Sequence, residues 1–115
     1  MSLDDAATYI EALGNPTRLK IYRTLVRAGE PGLSVTDLNA RVGGALSTFS
    51  HHLHRLIQVE LVQQQREGTT LRCRTNYRLM REIMSFLSSE CCVEAGFDTS
   101  ASGAVKTTTG GETLN

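Results

Sequence analysis

The 115-residue chain contains no tryptophan, only three phenylalanines and three tyrosines, and two prolines. Aromatic stacking therefore cannot organise the core, and Leu, Ile and Val must fill it. No apolar run approaches the roughly 20 residues that a membrane span requires. The opening Met1-Ser2-Leu3-Asp4-Asp5 also lacks the basic and apolar segments of a secretory signal. These absences predict a cytoplasmic protein with no membrane partner. The three cysteines are odd in number and too few for a disulfide framework, so packing, reactivity or metal chemistry must explain them. A nucleophile paired with a base, or two carboxylates at catalytic spacing, is missing too, and the expectation is that the chain is not an enzyme.

Net charge is the last absence: twelve Lys and Arg balance twelve Asp and Glu. The balance is uneven along the chain, however. From Pro16 to Arg81 eleven basic residues face Glu30, Asp37, Glu60 and Glu67, while residues 1–15 carry three acids and no base. A basic body between acidic ends points to a polyanionic partner. With 40% hydrophobic residues the chain has enough for one domain, placed at residues 1–97. Beyond it Ser, Thr, Gly and Ala dominate, and residues 98–115 read as a flexible tail with nothing to bury.

The most informative stretch runs from Ser47 to Leu61. At roughly 100° per residue, Phe49, Leu53, Leu56 and Ile57 form one apolar sector of a helix. Ser47, Ser50, His51, His54 and Gln58 gather opposite, with Arg55 at their flank. That polar sector holds no carboxylate. Hydroxyls, imidazoles, an amide and a guanidinium suit phosphate oxygens and base edges, although an ordinary solvated face is the plainer alternative.

The surrounding elements follow from local signals. Residues 4–13 form a short helix with Ala6, Tyr9, Ile10 and Leu13 inward, and Asp4 and Asp5 at its dipole-favoured end. Asn15-Pro16 starts a second helix, an N-cap followed by proline at the first helical position. It is expected to bury Leu19, Tyr22, Leu25 and Val26 and to expose Arg18, Lys20, Arg23 and Arg27. Ser34 and Asp37 cap a third helix from Val35 to Val42, and Gly43-Gly44 ends it. A tight turn to the Ser47 helix makes a helix-turn-helix. The period then falls to two: Val62 to Arg66 and Leu71 to Asn76 read as strands of a hairpin turning at Glu67-Gly68-Thr69-Thr70. Arg66, Arg72 and Arg74 could flank a phosphate backbone there, and Cys73 reads as a small buried hydrophobe. Tyr77 to Ser89 makes a last helix. Its Leu79, Met80, Ile83, Met84, Phe86 and Leu87 cover more than half its circumference, so it should pack on its own domain and on a second copy at once.

These segments together resemble the ArsR/SmtB family of small winged-helix repressors. The likeness runs through A-L-G-N-P-T-R-L-K-I-Y-R-T-L, S-V-T-D-L, L-S-T-F-S-H-H-L-H-R-L and L-V-Q-Q-Q-R-E-G-T-T-L-R-C-R, over roughly residues 5–90. It implies a mainly α fold with a small β-hairpin (α+β), about five helices plus a two-stranded wing. It also implies a homodimer built through the first and last helices, which binds an inverted-repeat operator in double-stranded DNA and releases it with an inducer. Carried onto this chain, the reader positions are Ser47, Thr48, Ser50 and His51, with Arg66 and Arg72 on the wing. His52, beside the apolar sector, is expected to be structural. Two ligand sets of the family are missing: the third helix has no Cys or His, and the last helix has no His.

Cys91-Cys92 remains, just beyond the last helix, and looks like the C-terminal vicinal pair of some arsenical-responsive members. Accident, a redox pair and a soft-metal site all stay open for it. Zinc is disfavoured, because it takes four tetrahedral ligands. Two neighbouring thiolates can chelate a three-coordinate trivalent arsenical, soft ligand to soft centre. Methylarsenite already carries one carbon substituent, so two thiolates complete its shell. Arsenite or antimonite would need a third thiolate, from Cys73, a partner chain or a small thiol. No cofactor is otherwise required. The two competing functions are a redox-sensing repressor of the same fold and a winged-helix protein-interaction module.

Overall fold

The computed structural model describes residues 1–96, so the tail expected over residues 98–115 lies outside the described residues. Five helices and a small sheet follow one another in the order expected: α1 (Leu3–Leu13), α2 (Pro16–Ala28), β1 (Leu33–Ser34), α3 (Val35–Val42), α4 (Leu46–Gln58), β2 (Val62–Glu67), β3 (Thr70–Thr75) and α5 (Tyr77–Ser88). A 3-10 turn, Val93–Ala95, closes the described chain. This is a winged helix-turn-helix.

Local chemistry sets the helix starts. The Asn15 side chain accepts from the N–H groups of Thr17 and Arg18 at 2.9 and 3.1 Å, and Ser34 Oγ accepts from Asp37 N–H at 3.0 Å. Each satisfies donors that a helix start leaves without intrahelical partners. Asn76, expected to end a strand, instead caps α5 by accepting from Leu79 N–H at 3.2 Å.

The sheet has one strand more than the hairpin. Its order is β1-β3-β2, antiparallel throughout, with Leu33 opposite Cys73 and Cys73 opposite Gln64. Two residues are too short for a periodic signal, and β1 forms because Gly32 lets the backbone lie against β3. Gly32 has φ 66°, and a Cβ there would collide with the carbonyl oxygen of Cys73.

The core lies where α2, α3 and α4 meet the sheet. Ile21, Leu25, Leu38, Phe49, Leu56, Leu61, Val62 and Cys73 are essentially inaccessible, and Leu79 and Ile83 of α5 join the same cluster. Two inward faces differ from the expected ones. On α2 the buried residues are Ile21, Tyr22 and Leu25, while Leu19 is 43% exposed. The helix packs on α3, β3, α4 and α1 at once, which turns its inner stripe toward Ile21 and Arg18. On α1 the small Ala6 and Ala12 are buried and Ile10 is 42% exposed, because close approach favours alanine and leaves the larger side chain outside. Met84 and Leu87 of α5 are also exposed.

Candidate nucleic-acid interface

The turn that presents α4 is short. Gly43 and Gly44 both have positive φ, 85° and 89°, a conformation that glycine adopts without strain. Lys20 Nζ donates to the Val42 carbonyl at 3.0 Å and fastens the end of α3. Helix α4 then starts at Leu46, and Ala45 at its N-cap has no side-chain oxygen to offer, so the first-turn N–H groups beside Ser47 and Thr48 have no side-chain cap. Phe49, Leu53 and Leu56 anchor the opposite face in the core.

Ser47, Thr48, Ser50, His51, His54 and Gln58 are all exposed. Among the described residues their side chains make no hydrogen bond or ion pair; His51 has only an edge contact with the His52 ring, at 5.7 Å. These donors and acceptors are uncommitted and lie on one face. Arg55 is different. Its guanidinium meets Glu11 of α1 at 2.7 Å, so the flank expected to be purely basic receives a carboxylate from another helix. The pair holds the Glu11 carboxyl below the usual range, through the Arg55 hydrogen bond first and its charge second.

His52 is half-buried, as its position beside the apolar sector suggested, and its Nδ1 lies 3.2 Å from Arg18 Nη1. A guanidinium only donates, so Nδ1 accepts and the ring proton sits on Nε2. Burial, then the charges of Arg18 and His51, push the pKa of this imidazole down.

On the wing the register separates the arginines. Arg66 stands opposite Leu71, one side of the hairpin with Gln64 and Cys73; Arg72 and Arg74 stand opposite Gln65 and Gln63 on the other. Arg66 is exposed and, among the described residues, unpaired. Arg72, expected to be a free phosphate contact like Arg66, is held by Glu67 at 2.8 Å and by the Pro31 carbonyl at 3.3 Å. Arg74 binds the Glu30 carbonyl and Gln65, both at 3.0 Å.

Cys91 and Cys92 are exposed just past α5. Cys92 takes the left-handed conformation at φ 64°, which costs a non-glycine residue about 1–2 kcal/mol. The Sγ atoms lie 3.1 Å apart, far beyond a disulfide bond of about 2.05 Å. The hydrogen bond to Cys91, and then the nearby Cys91 charge, push the Cys92 thiol up. Cys73, by contrast, is fully buried, with the Gln64 amide 3.6 Å from its sulfur, and burial pushes its thiol up as well. Among the described residues no group of three or more His, Cys, Asp and Glu side chains is arranged to hold a metal ion, and no helix is long and apolar enough to cross a membrane.

The pattern of known relatives agrees with this geometry. A helix-turn-helix domain family matches residues 13–65. The Halobacterium salinarum protein ArsR2, whose name assigns it provisionally to repression of an arsenical resistance operon, is 38% identical over 60 residues, 52% of this chain and 50% of the relative. The chain thus spans half the length of that relative. Among solved structures, the ArsR family transcriptional regulator RHA00566 superposes with TM-score 0.69 at 20% identity, covering 84% of this chain and 97% of the other. The AntR antimony-specific transcriptional repressor gives TM-score 0.56 at 30% identity, covering 77% of each chain. A homodimeric winged helix-turn-helix domain from Mycobacterium bovis gives TM-score 0.61 at 26% identity, over 83% of this chain and 88% of that one. The chain thus has a helix-turn-helix domain in a winged fold and is similar to ArsR-family regulators.

Three residues shape the candidate interface without having been singled out for it: Glu11, Arg18 and Glu67. Glu11 and Glu67 neutralise arginines that the sequence offers as free, Arg55 and Arg72, and Arg18 fixes the half-buried His52. The N-P-T-R segment carries Arg18 at the start of α2, but nothing in the spacing shows that α4 folds back against it. Outside the interface, Leu3, Ala7 and Ile10 of α1 and Phe86 and Leu87 of α5 line one apolar hollow. First and last helices therefore share a continuous uncovered surface.

Proposed function

We propose that the chain is a homodimeric transcriptional repressor that binds an inverted-repeat operator and releases it when a trivalent arsenical binds Cys91 and Cys92. The carboxylate-free, uncommitted face of α4 carries the DNA part of this reading. Ser47, Thr48, Ser50, His51 and His54 read or position the duplex in the major groove, and Arg66 contacts phosphate on the wing. Arg55 and Arg72 reach DNA only by leaving Glu11 and Glu67. The hollow shared by α1 and α5 supports dimerisation through these helices, as does the likeness to a homodimeric M. bovis domain.

The thiol geometry carries the inducer part. With bonds of about 2.3 Å to a shared centre, sulfurs 3.1 Å apart subtend an angle of about 85° at that centre. This suits a centre that bonds through p orbitals and keeps a lone pair, and it is narrow for tetrahedral zinc. The two exposed thiols fill the shell of methylarsenite, whereas arsenite would need a third. Cys73 is a poor candidate, shut inside the sheet. Likeness to an antimony-specific repressor supports an inducer of the same chemical group. Closure of the pair moves the end of α5 at the dimer surface, and the inducer shifts the population by its differential affinity for the two arrangements.

The sulfur contact also favours a second reading, redox sensing through a vicinal disulfide. A mobility shift separates the two. Methylarsenite should release DNA from the parent and from Cys73→Ser, but not from Cys91→Ser or Cys92→Ser. Release by peroxide alone, with arsenicals inert, would replace the arsenical reading by the redox one. Equal sensitivity to arsenite and methylarsenite, with Cys73→Ser losing only the arsenite response, would make Cys73 the third ligand.

A further inference from the structure

Helix α4 is joined to the dimer-facing side of the molecule by polar links as well as by its apolar face, and one of them passes through a single enclosed side chain. Arg18 Nε donates to the Ala12 carbonyl at 2.6 Å, Nη1 lies 3.2 Å from His52 Nδ1, and Nη2 stands 3.9 Å from Glu11. Its side chain is only 14% exposed. Ala12 belongs to the last turn of α1, where no basic residue of the helix itself is present. Arg18 thus supplies, from the next helix, the donor and positive charge that a helix C-terminus favours.

A guanidinium is planar, and its donors point in fixed directions. Ala12 and His52 occupy two of those directions, so neither can shift alone without breaking a hydrogen bond. His52 sits in the middle of α4, next to His51 on the exposed face. Helix α1 carries the uncovered Leu3 and Ile10, and α5, which leads to the cysteine pair, packs on α1.

We propose that Arg18 is a positioning residue for DNA binding, its guanidinium locking His52, and with it the outward face of α4, to the last turn of α1. This rests on the reading of α4 as the DNA-reading helix. A displacement of α1 at the dimer surface is then delivered to the middle of α4 through the enclosed Arg18, beside the exposed Glu11–Arg55 pair, with no need for a change in the hydrophobic core.

The test begins by selecting the preferred duplex of the full chain from a random-sequence library. Affinity for that duplex and for a scrambled one is then measured by fluorescence anisotropy across a salt series. His52→Leu removes the acceptor and keeps the bulk; His52→Asn offers an amide oxygen near the lost Nδ1; Arg18→Lys keeps the charge and loses the fork. His52→Leu and Arg18→Lys should each bind the selected duplex about five- to thirtyfold more weakly, with His52→Asn within about threefold of the parent. Binding to the scrambled duplex and the salt slope should not change, which a direct phosphate contact would not allow. Parent-like binding by His52→Leu, or equal loss in His52→Asn and His52→Leu, overturns the proposal. So does a flattened salt slope in Arg18→Lys, which would make Arg18 a phosphate contact. If Arg18→Lys is unfolded by circular dichroism, the two His52 variants decide alone. A parent that selects no sequence refutes the DNA reading before any variant is made, and the positioning role falls with it.

Discussion

Leu87 offers the most direct test of the proposed dimer surface. Its side chain is 64% exposed in the protomer, within the hollow shared with Leu3, which is 75% exposed, and Ile10, at 42%. Burying a whole leucine side chain is worth about 1.5–3 kcal/mol, so covering the exposed two-thirds should contribute about 1–2 kcal/mol. In a two-fold interface each substitution occurs twice. Leu87→Ala should therefore weaken dimerisation by about 2–4 kcal/mol, roughly 30- to 800-fold in the dissociation constant. Stability of the protomer should hardly change, because little of the side chain is buried within it. Sedimentation equilibrium over a concentration series measures the constant, and Arg81→Ala, exposed elsewhere on α5, is the control. A dissociation constant for Leu87→Ala within about threefold of the parent would refute the argument that this surface is where two copies meet.

Ser50→Ala and His51→Ala should each weaken operator binding by about 1–3 kcal/mol if they contact bases, with the dimer intact by sedimentation; parent-like affinity in both would remove α4 as the reader. Arg66→Ala should lower the salt slope by about one phosphate. Arg72→Ala should do so less, because Glu67 already holds Arg72, and Glu67→Gln should raise non-specific affinity by releasing it; anisotropy across a salt series distinguishes these cases. The depressed pKa of His52 predicts a pH dependence whose sign follows from linkage. The unfolded chain binds the proton more readily, so the stability from neutral His52 is complete above about pH 6.5 and declines as pH falls through the lower folded value. Thermal midpoints should therefore drop on acidification more in the parent than in His52→Asn, and equal drops would exclude His52 as the source.

Much of the fold was legible because its signals are local. The Asn15-Pro16 and Ser34 caps, the apolar period of Phe49, Leu53 and Leu56, and the switch to a two-residue period at Val62 each depend on neighbours within a few positions. Those residues carry their conformational preference wherever the chain places them, and they define a winged helix-turn-helix without long-range information. The exposed face of α4 was legible for the same reason, since it is the complement of the buried one.

Tertiary structure decided which of those polar groups are free. Arg55 and Glu11 are 44 positions apart and meet at 2.7 Å; Arg18 and His52 are 34 apart. No periodicity encodes such pairs, because they depend on how α1, α2 and α4 dock. Docking likewise chose Ile21 over Leu19 for the core, and it added β1, two residues that become a strand only when β3 lies beside them. The adjacency of Cys91 and Cys92 is sequence. Their 3.1 Å sulfur contact is not, because it requires Cys92 to leave the helical conformation for a left-handed one where α5 ends.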